Sequence, residues 1–337
     1  MLCVGSIAPS LAAKTPQETT EEVPQKDQEA LIGQDLQKAQ ELIDAKDYQA
    51  AIKLLKPLSQ KEHPEAMYVL GYLYQQGLGV KKNLYTAAEF FRKAALKGDV
   101  RAQVAFGKAL AQGQGTKRSL SQAATWFKKA ADEGIAVAQY NLGFMYAHGK
   151  GVPKNEQLAV DFYTKAANQG LADAQYSLGW IYLNSKGELQ SDTQAAHWLE
   201  KAAEQEHYKA QNNLAFLYAE GRGFAQQPEK ALYWYTRAAE QGYAVAQYNL
   251  GVMYEQGRGI PQDYERAVEW YQKAAVQNEP AAQYSLGVMY DQGTGVAANH
   301  QEAVRWYRLA AQNGDSDAKK ELRSLERSRR DAQPRKR

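Results

Sequence analysis

AQYNLGVMYEQGRGIPQDYERAVEWYQKAA, residues 246–275, contains no evident reactive centre, yet most of the 337-residue chain consists of variants of it. Its opening alanine recurs at Ala66, Ala102, Ala138, Ala174, Ala210, Ala246, Ala282 and Ala318, a spacing of 36 residues with no insertion or deletion. A fixed period of this length marks a repeat architecture, in which each unit packs mainly on its neighbours.

Within one unit the pattern has a direct physical reading. The first half, Ala246 to Tyr254, places apolar or small residues at spacings of three and four, which predicts an amphipathic helix. Gly257 and Gly259 stop it and supply left-handed backbone, and Pro261 adds a further stop. The second helix begins at a position held by Asn83, Ser119, Asn155, Ser191, Gln227, Asp263 and Asn299. All but Gln227 carry a short side chain whose oxygen caps helix N–H groups, and Gln227 precedes Pro228, which suits a first helical position. The second helix is expected to bury Ala267, Trp270, Tyr271, Ala274 and Ala275. Gly251, Ala267 and Ala274 are small enough for two antiparallel helices to approach closely. Each pair leaves an apolar flank uncovered, so it must stack on the next pair.

The pattern A-x-x-x-L-G-x-x-Y-x-x-G-x-G-[VI], followed by A-x-x-W-[YF]-x-x-A-A-x-x-G, resembles the Sel1-like repeat, a relative of the tetratricopeptide repeat. That resemblance implies an all-α chain, a right-handed α-solenoid of antiparallel helix pairs with 36-residue repeats. Seven repeats would span 66–317. Residues 29–65, with Asp47-Tyr48 and Ala50-Ala51-Ile52, resemble a degenerate N-terminal capping pair, and 318–330 a C-terminal cap helix before a basic tail at 331–337. The fourth unit departs most: Ser185 replaces the first turn glycine, Glu188-Leu189 the usual Val/Ile-Pro, and Glu206 the terminal glycine. A bend or loosening is expected between units four and five. Ala215 and Asn278 replace single glycines, and Asn tolerates the left-handed state.

Composition bounds the function. The chain is 44% hydrophobic with 22 Tyr and 6 Trp, too apolar for a disordered segment. The formal charge of +3 is concentrated in the last twenty residues, which contribute about +6 and leave the body near −3, so no nucleic-acid partner is expected. Cys3 is the single cysteine, which excludes a disulfide framework, and no run reaches the ~18 apolar residues of a transmembrane helix. MLCVGSIAPSLAA, 1–13, reads as the back half of a signal peptide cleaved near Ala12 or Ala13, short and without the positive stretch that opens a full signal. Residues 14–28 are polar and Pro-containing and read as a flexible linker. A periplasmic or secreted location follows from that reading, and a cytoplasmic one if the N-terminus is not a signal.

No catalytic set, cofactor site or metal site is expected. His63, His148, His197, His207 and His300 offer no third ligand beside any pair, and structural metal sites need three or four convergent ligands. Ser316 and Lys319 match S-x-x-K across a repeat junction, without the partner motifs of penicillin-recognising enzymes. Cysteine-rich relatives in the resembled family bind or cleave β-lactams, but their disulfide-stapled repeats have no counterpart here. Hydrolase activity on cell-wall or β-lactam substrates, or modulation of one, remains the alternative function.

The main expectation is a non-catalytic adaptor or scaffold of the bacterial envelope, or secreted, that binds a protein or peptide. The third, seventh and tenth positions of the first helix share one face, which in tetratricopeptide-like arrays lines the concave groove. The third position holds Tyr68, Tyr140, Tyr176, Tyr248 and Tyr284, either a packing ladder or a contact surface. The seventh varies through Tyr72, Lys108, Phe144, Trp180, Phe216, Val252 and Val288. The tenth runs from Ala147, Leu183 and Ala219 to Glu255 and Asp291. Candidate groove residues are therefore Tyr72, Tyr140, Phe144, Tyr176, Trp180, Leu183, Phe216, Tyr248, Glu255 and Asp291, with Phe144, Trp180, Leu183 and Phe216 as anchors.

Overall fold

The computed structural model describes residues 25–332, with side chains from 31 to 325. Those residues form seventeen α-helices and one short 3-10 turn, with no strand among them. The fold is an all-α repeat solenoid, and the chain divides at Asp99/Val100 into two compact units.

The first unit holds α1 (Gln25–Asp44), α2 (Tyr48–Gln60), α3 (Pro64–Gln76) and α4 (Leu84–Leu96). Its core is built on Ile52, Leu55, Leu70 and Leu73. Helix α1 starts at Gln25, so the last four residues of the stretch read as a linker are helical. Gln25, Lys26 and Gln28 are of types that favour a helix.

The second unit continues the alternation with α5 (Val100–Gln112), α6 (Leu120–Asp132), α7 (Ala136–His148) and α8 (Glu156–Asn168). Then come α9 (Ala172–Asn184), α10 (Asp192–Glu204), α11 (Tyr208–Glu220) and α12 (Pro228–Glu240). It ends with α13 (Ala244–Gln256), α14 (Tyr264–Ala275), α15 (Pro280–Gln292), α16 (His300–Gln312) and α17 (Ser316–Ala332). Within this unit each helix packs on the next in chain order, and α9 also touches α11.

Local chemistry accounts for these boundaries. Asn83, Ser119, Asn155, Ser191, Asp263 and Asn299 each accept a backbone N–H of the following first turn. Gln227 makes no such bond, and Pro228 opens that helix instead. Gly257 takes φ 62° and closes α13 with its N–H on the Met253 carbonyl. Where the helices of a pair cross, there is no room for a larger residue: a Cβ on Gly251 would lie 2.6 Å from the Tyr271 ring. Ala267, Tyr271, Ala274 and Ala275 are buried, whereas Trp270 is half-buried beneath the Lys273 ammonium, 3.7 Å from its ring centre.

The irregular fourth unit is held by substitute contacts. Ser185 ends α9 in extended rather than left-handed backbone, a 3-10 turn at Gly187–Leu189 follows, and the Ser185 hydroxyl donates to Glu156 at 2.6 Å. Glu206 adopts the left-handed φ of 61° that glycine takes elsewhere. Its carboxylate accepts from Gln211 Nε2 at 3.1 Å and from Arg237, which ties the strained residue to two later helices. No loosening accompanies it: α10 packs on α11 as fully as α8 does on α9.

Candidate functional site

Three consecutive first helices of the second unit, α7, α9 and α11, enclose an open bowl of about 610 Å³. Tyr140 and Phe144 come from α7, and Asp173, Tyr176, Ser177 and Trp180 from α9. His207, Tyr208 and Lys209 enter from the start of α11. The volume lies in the range of small-molecule and peptide-side-chain sites.

Most of its wall is aromatic. Tyr140 packs on Tyr163 of α8 with ring centres 5.7 Å apart. Burial pushes both phenols above their ordinary range, and the Asp173 charge adds to the effect at Tyr140. The Tyr176 ring stacks on His207 at 4.6 Å, and His207 stacks in turn on Tyr208. Lys150 places its ammonium 4.8 Å over Phe144, and Lys209 lies 5.8 Å from the centre of Tyr208. Trp180 leaves 49% of its surface exposed.

His207 is the junction of two helices. Its Nδ1 accepts the Ala210 N–H at 3.2 Å and so caps α11. That bond requires an unprotonated Nδ1 and puts the ring proton on Nε2, 3.4 Å from Asp173 Oδ1. Burial holds the imidazole below its ordinary pKa, against a smaller opposing pull from Asp173.

Serine, histidine and aspartate thus meet in one bowl, the residue types of a nucleophilic triad. Their bonds are not those of one. The Ser177 hydroxyl donates to the Asp173 backbone carbonyl at 2.8 Å, while His207 turns both nitrogens to other groups. A general base must face the nucleophile's proton, and here it does not. Among the described residues no group of three or more His, Cys, Asp or Glu is placed to hold a metal ion, and no helix is long and apolar enough to cross a membrane.

The bowl gathers Tyr140, Phe144, Tyr176 and Trp180 of the residues expected from sequence. Leu183 is a correction to that set. It is 9% exposed and belongs to the core cluster with Leu199 and Leu217, because leucine at the tenth position turns inward toward the second helix. Phe216, 37% exposed, lines a separate hollow of about 170 Å³ with Asn249, Val252 and Arg258. Tyr248 packs on Tyr271 at 5.6 Å, outside both hollows. The Glu255 carboxylate is turned to the Tyr271 hydroxyl, and Asp291 pairs with His300 at 2.9 Å, so neither is an unpaired acidic contact. Tyr72 is exposed on the first unit.

Asp173, Ser177, Tyr208 and Lys209 were not singled out from the sequence, and His207 was named there without a role in the groove. They lie between the aligned repeat positions, and only the juxtaposition of α9 with α11 brings them together. One signal was available: His207 stands where neighbouring units carry Ile135, Leu171 and Tyr243.

The Sel1 repeat family model matches residues 64–99, 100–135, 136–171, 172–207, 209–243, 244–278 and 280–315. Among solved structures, a protective antigen present in uropathogenic Escherichia coli strains and displaying the Sel1-like repeat fold is 32% identical, with a TM-score of 0.81. The match covers 89% of this chain and 66% of that protein, so the chain spans just under two thirds of its length. A Sel1 repeat protein from Oxalobacter formigenes is 30% identical over 94% of this chain and 97% of its own, with a TM-score of 0.68. No curated protein sequence matches significantly.

Proposed function

The chain belongs to the Sel1 repeat family, and on that premise we propose that it is a non-catalytic scaffold whose α7–α9–α11 face holds a peptide segment of a partner protein. Sel1 repeat proteins are generally protein-interaction scaffolds, and the family is mostly non-enzymatic. The observation that carries the reading is a contrast between repeat positions. Residues at the first, fifth and sixth positions, such as Ala174, Leu178 and Gly179, are buried in the helix crossing. The seventh instead presents Trp180 and Phe216 to solvent at 49% and 37% exposure. Leaving such rings in water forgoes about 2 kcal/mol each, a loss that a partner recovers by covering them.

The test is the double substitution Trp180→Ser with Phe216→Ser, assayed for partner capture and for thermal stability. Loss of a protein retained by the wild type, with an unchanged melting temperature, supports the scaffold reading. A large fall in melting temperature assigns both rings to the core and sinks it.

The proposal extends to location. The apolar stretch 1–13 and its small-residue end at Ala12-Ala13 support export to the periplasm or beyond. These residues lie outside the described part of the chain. N-terminal mass determination on fractionated cells decides the point: a chain starting near Lys14 in the exported fraction supports it, and an intact Met1 in the cytoplasm overturns it.

A further inference from the structure

Of the six tryptophans, Trp126, Trp198, Trp270 and Trp306 each have a lysine or arginine of the same chain over the ring. Trp234 has the ring of Tyr233 against it at 4.8 Å. Trp180, at 49% exposure, has neither cation nor ring partner among the described residues.

Its surroundings indicate what is missing. Asp173, Tyr176 and Trp180 lie at i, i+3 and i+7 of α9 and form one stripe, with the carboxylate and the indole about 10 Å apart along the axis. The Asp173 side chain is 62% exposed, and its ion partner is His207, an imidazole held neutral by burial. The other charges around the bowl are already engaged. Glu206 accepts from Arg237, while Lys150 and Lys209 lie over the outermost rings, Phe144 and Tyr208. What remains at the centre is one carboxylate among aromatic faces, the chemistry that receives an organic cation.

We infer that the bowl takes an arginine or lysine side chain of the partner's peptide, with its cation on the Asp173 carboxylate and its aliphatic stem along Tyr176 and Trp180. This rests on the reading of the bowl as a peptide site. The stripe suits such a side chain because the stem is apolar and the head charged, so both ends of the stripe are satisfied at once.

Pools of acetylated, amidated decapeptides, with the central residue fixed as Arg, Lys, Gln, Leu or Glu, test it on the immobilised full chain. Arg and Lys pools are expected to be retained about tenfold more than Gln and Glu pools at low salt. The preference should shrink at about 0.5 M salt, where charges are screened beyond a few ångströms. Asp173→Asn should abolish it while leaving retention of the Leu pool and the melting temperature unchanged, and Trp180→Ala should weaken every pool. A Leu preference, or an Arg preference that survives Asp173→Asn, overturns the cation and leaves the peptide site standing. If Trp180→Ala retains all pools like the wild type, or if no pool is retained, both fall. Should Asp173→Asn fail to fold, the wild-type salt series decides: a preference indifferent to salt overturns the inference.

Discussion

Gln169 Nε2 donates to Gln139 Oε1 at 2.8 Å across thirty residues of sequence, and Gln139 Nε2 donates in turn to the Ala131 carbonyl at 3.3 Å. The arrangement recurs. Gln205 bonds Gln175, Gln241 bonds Gln211, Gln277 bonds Gln247 and Asn313 bonds Gln283, each across thirty residues. Every acceptor glutamine is buried and also reaches the backbone carbonyl eight residues before it. This amide ladder links the starts of α7, α9, α11, α13 and α15 to the ends of the second helices on either side, so that these repeats are joined by directed bonds as well as by apolar contact.

Removing one rung should therefore be costly. Gln175→Leu removes two bonds at once, the one from Gln175 Nε2 to the Ala167 carbonyl, which keeps only the Gly170 N–H, and the one from Gln205 to Gln175 Oε1. A loss of about 2 kcal/mol is expected, read as a lowered midpoint in urea unfolding followed by circular dichroism.

The first rung of the second unit is incomplete, and it can be repaired. Gln103 Oε1 is buried without a partner, and thirty residues on stands Glu133, whose side chain carries no N–H to donate. Glu133→Gln supplies the missing amide. Stability should rise by about 1 kcal/mol, and a neutral or destabilising result in the same urea assay would show that the ladder depends on more than the donor.

Within a helix pair the sensitive point is the crossing. Gly251→Ala would force its new methyl to within 2.6 Å of the Tyr271 ring, so ring or helix must shift. The expected cost is about 1–3 kcal/mol, visible as a lower thermal midpoint.

Leu183 and Trp180 separate core from surface on one helix. Leu183→Ala removes a buried side chain and should cost about 2–5 kcal/mol. Trp180→Ala, at a half-exposed site, should stay within about 1 kcal/mol of the wild type. Comparable losses from the two would contradict the placement of the tryptophan.

His207 makes stability pH-dependent with a definite sign. Burial lowers its folded pKa below the ordinary 6.5, so the folded chain favours the neutral ring that caps α11. The contribution is complete above pH 6.5 and is lost as the pH falls through the depressed folded value. His207→Asn keeps a side-chain oxygen for the cap but removes the titration. Between about pH 7 and pH 5 the wild type should lose more stability than this variant, measured by thermal unfolding at a series of pH values.

Much of the architecture is legible in the linear chain because its causes are short-range. The 36-residue period, the glycine stops and the capping Asn, Ser and Asp residues each act within a few residues of themselves. The ladder was visible as Gln103, Gln139, Gln175, Gln211, Gln247 and Gln283, yet a recurring polar residue does not announce whether it faces water or a buried carbonyl.

By itself, then, the sequence determined the repeat, its two-helix unit and the family, since periodicity and capping are local properties of the backbone. Tertiary structure decided which variable side chains meet. Stacking α7, α9 and the first turn of α11 brings Tyr140, Asp173, Trp180 and His207 to one bowl, and it sends Leu183, three residues from Trp180, into the core. That choice depends on which helix flanks are covered by neighbouring helices, a relation between residues distant in the chain that no local pattern records.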